Sequence, residues 1–238
     1  MSEAGLLKEE KFYSKLELSL DEINRRCVSI NEEERKECVK ITLDVVNTLF
    51  EKLKKEDPDF NFFFNRITYV GSFFDGLRVS EATEFDLNVI LKIPCNYEKI
   101  KIESSKDDPG FVRLNVKRAT DDDCGRAWKK WVDENGYLLH TKILRWFESV
   151  LTKISDNSDG KKIRVNGKCG SFEVSRKKNG PANTLHILKD FFNIDIDLVP
   201  VIEFPQTMKP PHPVRWLSNM AENSIFKEYI QNNKRNEQ

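Results

Sequence analysis

Residues 81–94 read EATEFDLNVILKIP, and a glycine-serine turn, TYVGSFFDG (68–76), stands just before them. A strand sends every second side chain to one face, so Glu84 and Asp86 project together, about 7 Å apart, while Phe85 and Leu87 face a core. Gly71 permits close backbone approach, and the Ser72 hydroxyl beside N–H groups suits a phosphate. Anion donors followed by hard-cation ligands describe a site for a nucleotide and a metal.

A second alternation lies far downstream. In FFNIDIDLVPVIEF (191–204), Asp195 and Asp197 alternate with Ile196 and Leu198. Adjacent strands at about 4.8 Å could bring one of these aspartates beside the first pair. Nucleotidyl transfer needs such a trio to hold two Mg²⁺ or Mn²⁺ ions about 3.5–4 Å apart. Alternating acid and apolar residues are also the ordinary signature of a half-exposed strand, so neither pair specifies the chemistry alone.

Between and before these strands the chain changes texture twice. Phe12, Leu16, Leu20 and Ile23 predict one amphipathic helix; Val39, Leu43, Val46, Phe50 and Leu53 predict a second. The second opens on Asn31 with Glu34 three residues on, and Asp57-Pro58 stops it near Lys55, giving about seven turns. From Arg66 short β-like runs follow: 67–70, 85–93 and, after a turn at 106–110, 112–117. Helical spacing returns over 127–154, with Trp128, Trp131, Leu138, Ile143, Trp146 and Phe147 as core anchors. Beyond the polar break 155–160, β-like runs occupy 163–165, 171–175, 184–188 and 192–204, and residues 222–238 read as a short polar helix.

Composition narrows the class. The chain has 238 residues, 39% hydrophobic with 16 Phe, enough for a real core. No apolar run approaches the roughly 20 residues of a membrane span, and the start lacks a secretory signal, so no membrane partner and a cytoplasmic setting are expected. The five cysteines are scattered without a CxxC pair, so neither a disulfide framework nor zinc is expected. Thirty-nine basic and 39 acidic residues cancel, so nucleic-acid affinity must come from a local patch. Such patches occur at KKIRVNGKCGSFEVSRKK (161–178), with Lys161, Lys162 and Arg164, and along the second helix, with Lys36 and Lys40 a turn apart and Lys52, Lys54 and Lys55 at its end. A solvated surface explains them equally well. His140, His186 and His212 show no ligand spacing, and Trp216 and Trp128 read as structural.

The ordered set GSFFDG, EFDLNV, NGPANTLHIL and NIDIDLVPVIE resembles the cyclic GMP-AMP synthase-like receptors of the mab-twenty-one family, from about residue 31 to 204. That resemblance implies an α+β fold with a polymerase-beta-type nucleotidyltransferase core, a mixed twisted sheet flanked by helices behind a long spine helix. It divides the chain into N-terminal helices (1–60), a catalytic core (61–215) and a C-terminal segment (216–238), with the family's second, helical lobe largely missing. It implies that Gly71 and Ser72 contact the triphosphate and that Glu84, Asp86 and Asp197 ligate two metal ions. Asp197 matches the family's spacing to the glutamate at 203; Asp195, on the same face, remains the rival. ATP and GTP are the implied substrates, a cyclic dinucleotide the product, and double-stranded RNA the activator. A catalytically silent scaffold and a linear oligonucleotide synthase are the alternatives.

Overall fold

The computed structural model describes residues 15–29, 31–79, 83–105, 111–119, 128–156, 160–189 and 192–205. The expected C-terminal helix, Trp216, His212, Cys124, Phe12 and the turn at 106–110 lie outside them.

Residues 15–23 form α1, which runs into a wider turn at Asn24–Val28. Its predicted apolar face does not pack inward: Leu16, Leu20 and Ile23 are all exposed. The spine, α2 (Glu32–Glu56), spans 25 residues, the expected seven turns. Asn31 caps it, its side-chain oxygen accepting from the N–H of Glu33 at 3.0 Å and of Glu34 at 3.4 Å. Asp57 ends α2 and caps α3 (Pro58–Phe63) by accepting from the Phe60 N–H at 2.7 Å. Val46, Phe50 and Leu53 of α2 are buried as expected, joined by Ile41, Val45 and Leu49, whereas Val39 and Leu43 are only partly covered.

Five further elements carry the first sheet edge and its surroundings: β1 (Phe64–Val70), α4 (Gly71–Phe74), β2 (Glu84–Leu91), and a separate hairpin of β3 (Lys101–Ser104) and β4 (Val112–Asn115). The predicted helix over 127–154 is only half realised. Trp128 and Trp131 sit in a tight turn, Tyr137 and Leu138 bridge to Asn115 and Val132, and the helix proper, α5, is His140–Lys153. Trp128, Trp131, Ile143 and Phe147 are nonetheless core, as expected.

The chain then winds back and forth through β5 (Lys162–Gly167), β6 (Gly170–Asn179), β7 (Ala182–Lys189) and β8 (Phe192–Ile202). Gly180 and Pro181 make the two-residue turn between β6 and β7, Gly180 at φ 57°. The six-stranded sheet has the order β1-β2-β8-β7-β6-β5, antiparallel throughout except for β2 with β8. One face is apolar and buried: Phe85, Leu87 and Val89 of β2, Ile194, Ile196 and Leu198 of β8, Leu185 and Ile187 of β7, Phe172 and Val174 of β6. The alternate side chains project from the other face. No disulfide joins Cys27, Cys38, Cys95 or Cys169, and among the described residues no helix is long and apolar enough to cross a membrane.

Candidate active site

Backbone register brings the acidic pairs together. Along the parallel β2–β8 pair, Glu84 lies beside Asp195 and Asp86 beside Asp197. Phe85, Leu87, Ile196 and Leu198 are all buried, so the four carboxylates share the opposite face. On the other side, Val70 of β1 pairs with Asp86, so the next residue, Gly71, lies against that carboxylate. Gly71 sits at φ +83°, and a Cβ there would overlap Asp86, 2.8 Å from its Cγ. Only glycine lets the turn approach this closely. Ser72 follows, exposed at the start of α4, and its carbonyl accepts from the N–H of Leu77 at 2.8 Å and of Arg78 at 2.9 Å.

Mutual repulsion marks the electrostatics. The Asp86 carboxyl is pushed above the usual aspartate range by burial first, then by the charges of Glu84 and Asp197, with Arg78 opposing. Each neighbour of Asp86 has found its own partner. Arg78 Nη1 donates to Glu84 Oε2 at 2.5 Å, and Thr184 Oγ1 of β7 donates to Asp197 Oδ1 at 2.5 Å. His186 Nδ1 and Asp195 Oδ1 share a hydrogen bond of 2.5 Å. In this side-chain arrangement no three His, Cys, Asp or Glu among the described residues close on one point. The donor set still fits a hard divalent cation in kind, with carboxylate oxygens on neighbouring strands and a guanidinium supplying the positive charge that they otherwise lack.

Arg78, Thr184 and His186 were not found from sequence. Thr184 and His186 were recoverable only through the β7–β8 register, which sets them opposite Asp197 and Asp195; no spacing within the chain encodes that.

A substitution at the turn tests its closeness. Gly71→Ala should cost about 1–2 kcal/mol for the left-handed backbone and displace the Asp86 carboxylate. The protein should remain folded by circular dichroism, with a melting temperature about 2–8 °C lower.

The basic residues separate into two groups. A groove of about 950 Å³ runs between α2 and the β5–β6 hairpin, lined by Lys40, Lys52 and Lys55 on one side and Arg164 and Lys168 on the other. Asp44 pins its floor, accepting from the N–H of Lys168 at 2.9 Å and of Cys169 at 2.6 Å. Burial pushes the Asp44 carboxyl up, but those N–H groups outweigh it and hold it below the usual range. Of the expected nucleic-acid residues, Lys40 and Arg164 thus meet across one groove. Lys36, Lys161 and Lys162 do not line it: Lys36 pairs with Glu33 at 2.9 Å, Lys162 with Glu173 at 2.8 Å, and Lys161 lies by a separate hollow. Arg176, counted in the basic run, turns inward to donate to the carbonyls of Gly160 and Glu148.

Residues 73–237 match the Mab-21 protein nucleotidyltransferase domain. Among similar proteins, a cyclic GMP-AMP synthase-like receptor of Ctenocephalides felis is 30% identical over 210 residues, covering 81% of this chain and 47% of its own. Those of Tribolium castaneum (33% over 201 residues; 79% and 50%) and Aethina tumida (32% over 206 residues; 83% and 52%) are alike. The chain spans about half the length of these curated relatives. A glycine-serine turn against paired acidic strands, a mixed sheet behind a long spine helix, and a domain match over more than half its length mean that this chain belongs to the Mab-21 nucleotidyltransferase family.

Proposed function

We propose that this chain is the nucleotidyltransferase core of an innate immune receptor that joins ATP and GTP into a cyclic dinucleotide when double-stranded RNA binds. The observation that carries the reading is the side-by-side register of Asp86 and Asp197 next to Gly71 and Ser72. Glu84, Asp86 and Asp197 would hold Mg²⁺ or Mn²⁺, which when bound neutralises the α-phosphate and the departing pyrophosphate. Gly71 and Ser72 would hold the triphosphate by close backbone approach and a hydroxyl. A ribose hydroxyl oxygen bonds to the α-phosphorus, the bond to the pyrophosphate oxygen breaks, and one of the three carboxylates accepts the hydroxyl proton. Thr184 donates to Asp197 Oδ1 from β7, on the side of β8 away from Asp86.

The groove between α2 and the β5–β6 hairpin supports RNA as the activator. A-form duplexes are recognised through phosphates and 2′-hydroxyls rather than base edges. Lys40, Lys55, Arg164 and Lys168 supply cations, while Asn47 and Thr48 supply groups that can bond a hydroxyl.

The test combines binding and product formation. The protein is mixed with labelled ATP and GTP, Mn²⁺ and either double-stranded RNA or DNA, and the products are separated by chromatography. A cyclic dinucleotide that forms only with RNA is expected; a linear ladder would assign a linear synthase, and no product a silent scaffold. Lys40→Glu combined with Arg164→Glu should weaken RNA binding at least about tenfold and flatten the log-log salt slope by about two. Unaltered affinity would move the interface elsewhere.

A further inference from the structure

The open face of the sheet is ordered in rows, because residues in register on neighbouring strands share a face. One row runs Val70, Asp86, Asp197, Thr184 and Lys177, from β1 through β2, β8 and β7 to β6. The Thr184 hydroxyl reaches Asp197 Oδ1, which puts the β7 and β6 members of the row on the carboxylate side. A second row, Glu84, Asp195, His186, Ser175 and Lys162, lies beside it. Charge therefore changes sign across the sheet, from carboxylates on β2 and β8 to cations on β6 and β5.

Nucleotidyl transfer has a direction of its own. The attacking and leaving oxygens lie roughly in line about the phosphorus. With the triphosphate at Gly71 and Ser72, which follow β1, the pyrophosphate departs on that side of Asp86, and the attacking hydroxyl arrives from the β7 side of Asp197. The nucleotide that carries this hydroxyl then lies over β7 and β6. It brings its own 5′-phosphates toward a face that already holds four carboxylates, and such a charge needs a cation beside it.

Along the rows Lys177 is the first lysine or arginine on that side, two strands from Asp197 or about 10 Å. Its basic neighbours are engaged elsewhere: Lys162 pairs with Glu173 at 2.8 Å, Lys178 turns to Glu148 of α5, and Arg176 donates to the carbonyls of Gly160 and Glu148. Lys177 is exposed, with no ion pair among the described residues, and with Ser175 and His186 it lines a hollow of about 490 Å³. We propose that Lys177 binds the 5′-phosphates of the acceptor nucleotide, the one whose ribose hydroxyl attacks, and so aims that hydroxyl at Asp197. This rests on the transferase reading above and extends it to the second substrate. The flexible four-carbon stem lets the ammonium lean over β7 to meet a phosphate there.

The test isolates one bond and one substrate. Dideoxy-ATP, which has no ribose hydroxyl to attack with, serves as donor with Mn²⁺ and double-stranded RNA, and either GTP or unphosphorylated guanosine serves as acceptor. Lys177→Ala should raise the KM for GTP at least about tenfold, the weight of a lost bond to a charged group, while the KM for guanosine moves less than about twofold. Lys177→Arg should keep most of the GTP affinity, and Lys178→Ala, which removes a charge from the other face, should not disturb it. A second readout needs no turnover. In EDTA the bare carboxylates repel a triphosphate from Gly71 and Ser72, so the GTP affinity that remains, read by calorimetry, should also fall in Lys177→Ala. Equal losses with GTP and guanosine would place Lys177 in RNA activation, no loss would put the acceptor phosphates elsewhere, and a matching loss in Lys178→Ala would reduce the effect to net charge. Each of these overturns the proposal while the transferase reading stands. A wild-type protein that joins dideoxy-ATP to neither acceptor would remove both.

Discussion

Asp86→Asn is expected to abolish the proposed nucleotidyl transfer while making the ligand-free protein more stable. The catalytic loss should be at least about 10²–10³-fold, the scale on which a single preorganised electrostatic group acts. The stability gain has a separate cause. In the folded chain Asp86 is raised above the ordinary value by burial and by Glu84 and Asp197. A raised carboxyl contributes its stability in full below the ordinary value and loses it as pH rises through the folded value, because the anion is the disfavoured form. Wild type should therefore fall behind Asp86→Asn in melting temperature as pH rises from about 4 to about 8, with divalent ions absent. If the cluster holds the proposed ion, adding Mn²⁺ should reverse the order, since wild type keeps the carboxylate that the variant lacks. Parallel melting curves across that range would show that the carboxylates are not crowded, and undiminished transfer would exclude Asp86 from the chemistry.

Phe60→Ala should produce the largest loss of stability. Phe60 is fully buried and packs against four rings: Phe50 of α2 at 5.7 Å, Phe64 of β1 at 5.3 Å, and Trp146 and Phe147 of α5, each at 6.3 Å. It therefore fastens the spine, the first strand and α5 to one another. Removing a buried phenyl ring costs about 3–5 kcal/mol, a large part of the 5–15 kcal/mol that holds an ordinary domain. For a chain of this size each kcal/mol moves the midpoint about 2–4 °C, so the melting temperature should fall by roughly 6–20 °C. Phe60→Leu, which keeps much of the volume, should recover most of it. A shift below about 2 °C would show that the spine is held by other contacts.

Much of this architecture was legible because its signals are local. The alternation of Glu84 and Asp86, and of Asp195 and Asp197, fixes their face through a period of two, and burial of Phe85 and Ile196 agrees with it. Asn31 and the Asp57-Pro58 stop bounded the spine for the same reason, since caps act over a single turn. What spacing could not supply were relations between distant strands. The parallel pairing of β2 and β8, the side chains of β7 that reach both aspartates, and the turn of Arg78 onto Glu84 all depend on register or loop path. The same limit explains the half-realised helix over 127–154. Trp128 and Trp131 have helical spacing, yet a single tight turn satisfies it, and Tyr137 and Leu138 find strand-like partners that no helix pattern announces. The three acidic groups read from sequence do share a face, but Glu84 and Asp197 have turned to Arg78 and Thr184 rather than to a common point.

The β2–β8 pairing also sets a schedule. Asp197 is synthesised about 110 residues after Asp86. At translation rates of about 5–20 residues per second, the ribosome needs on the order of ten seconds to deliver β8. Through that interval β2 has β1 available on one flank and a bare, strongly apolar edge on the other, the sort of template that recruits foreign strands. The nascent chain thus carries an unpaired β2 edge through the middle of its own production, until β8 arrives to cover it.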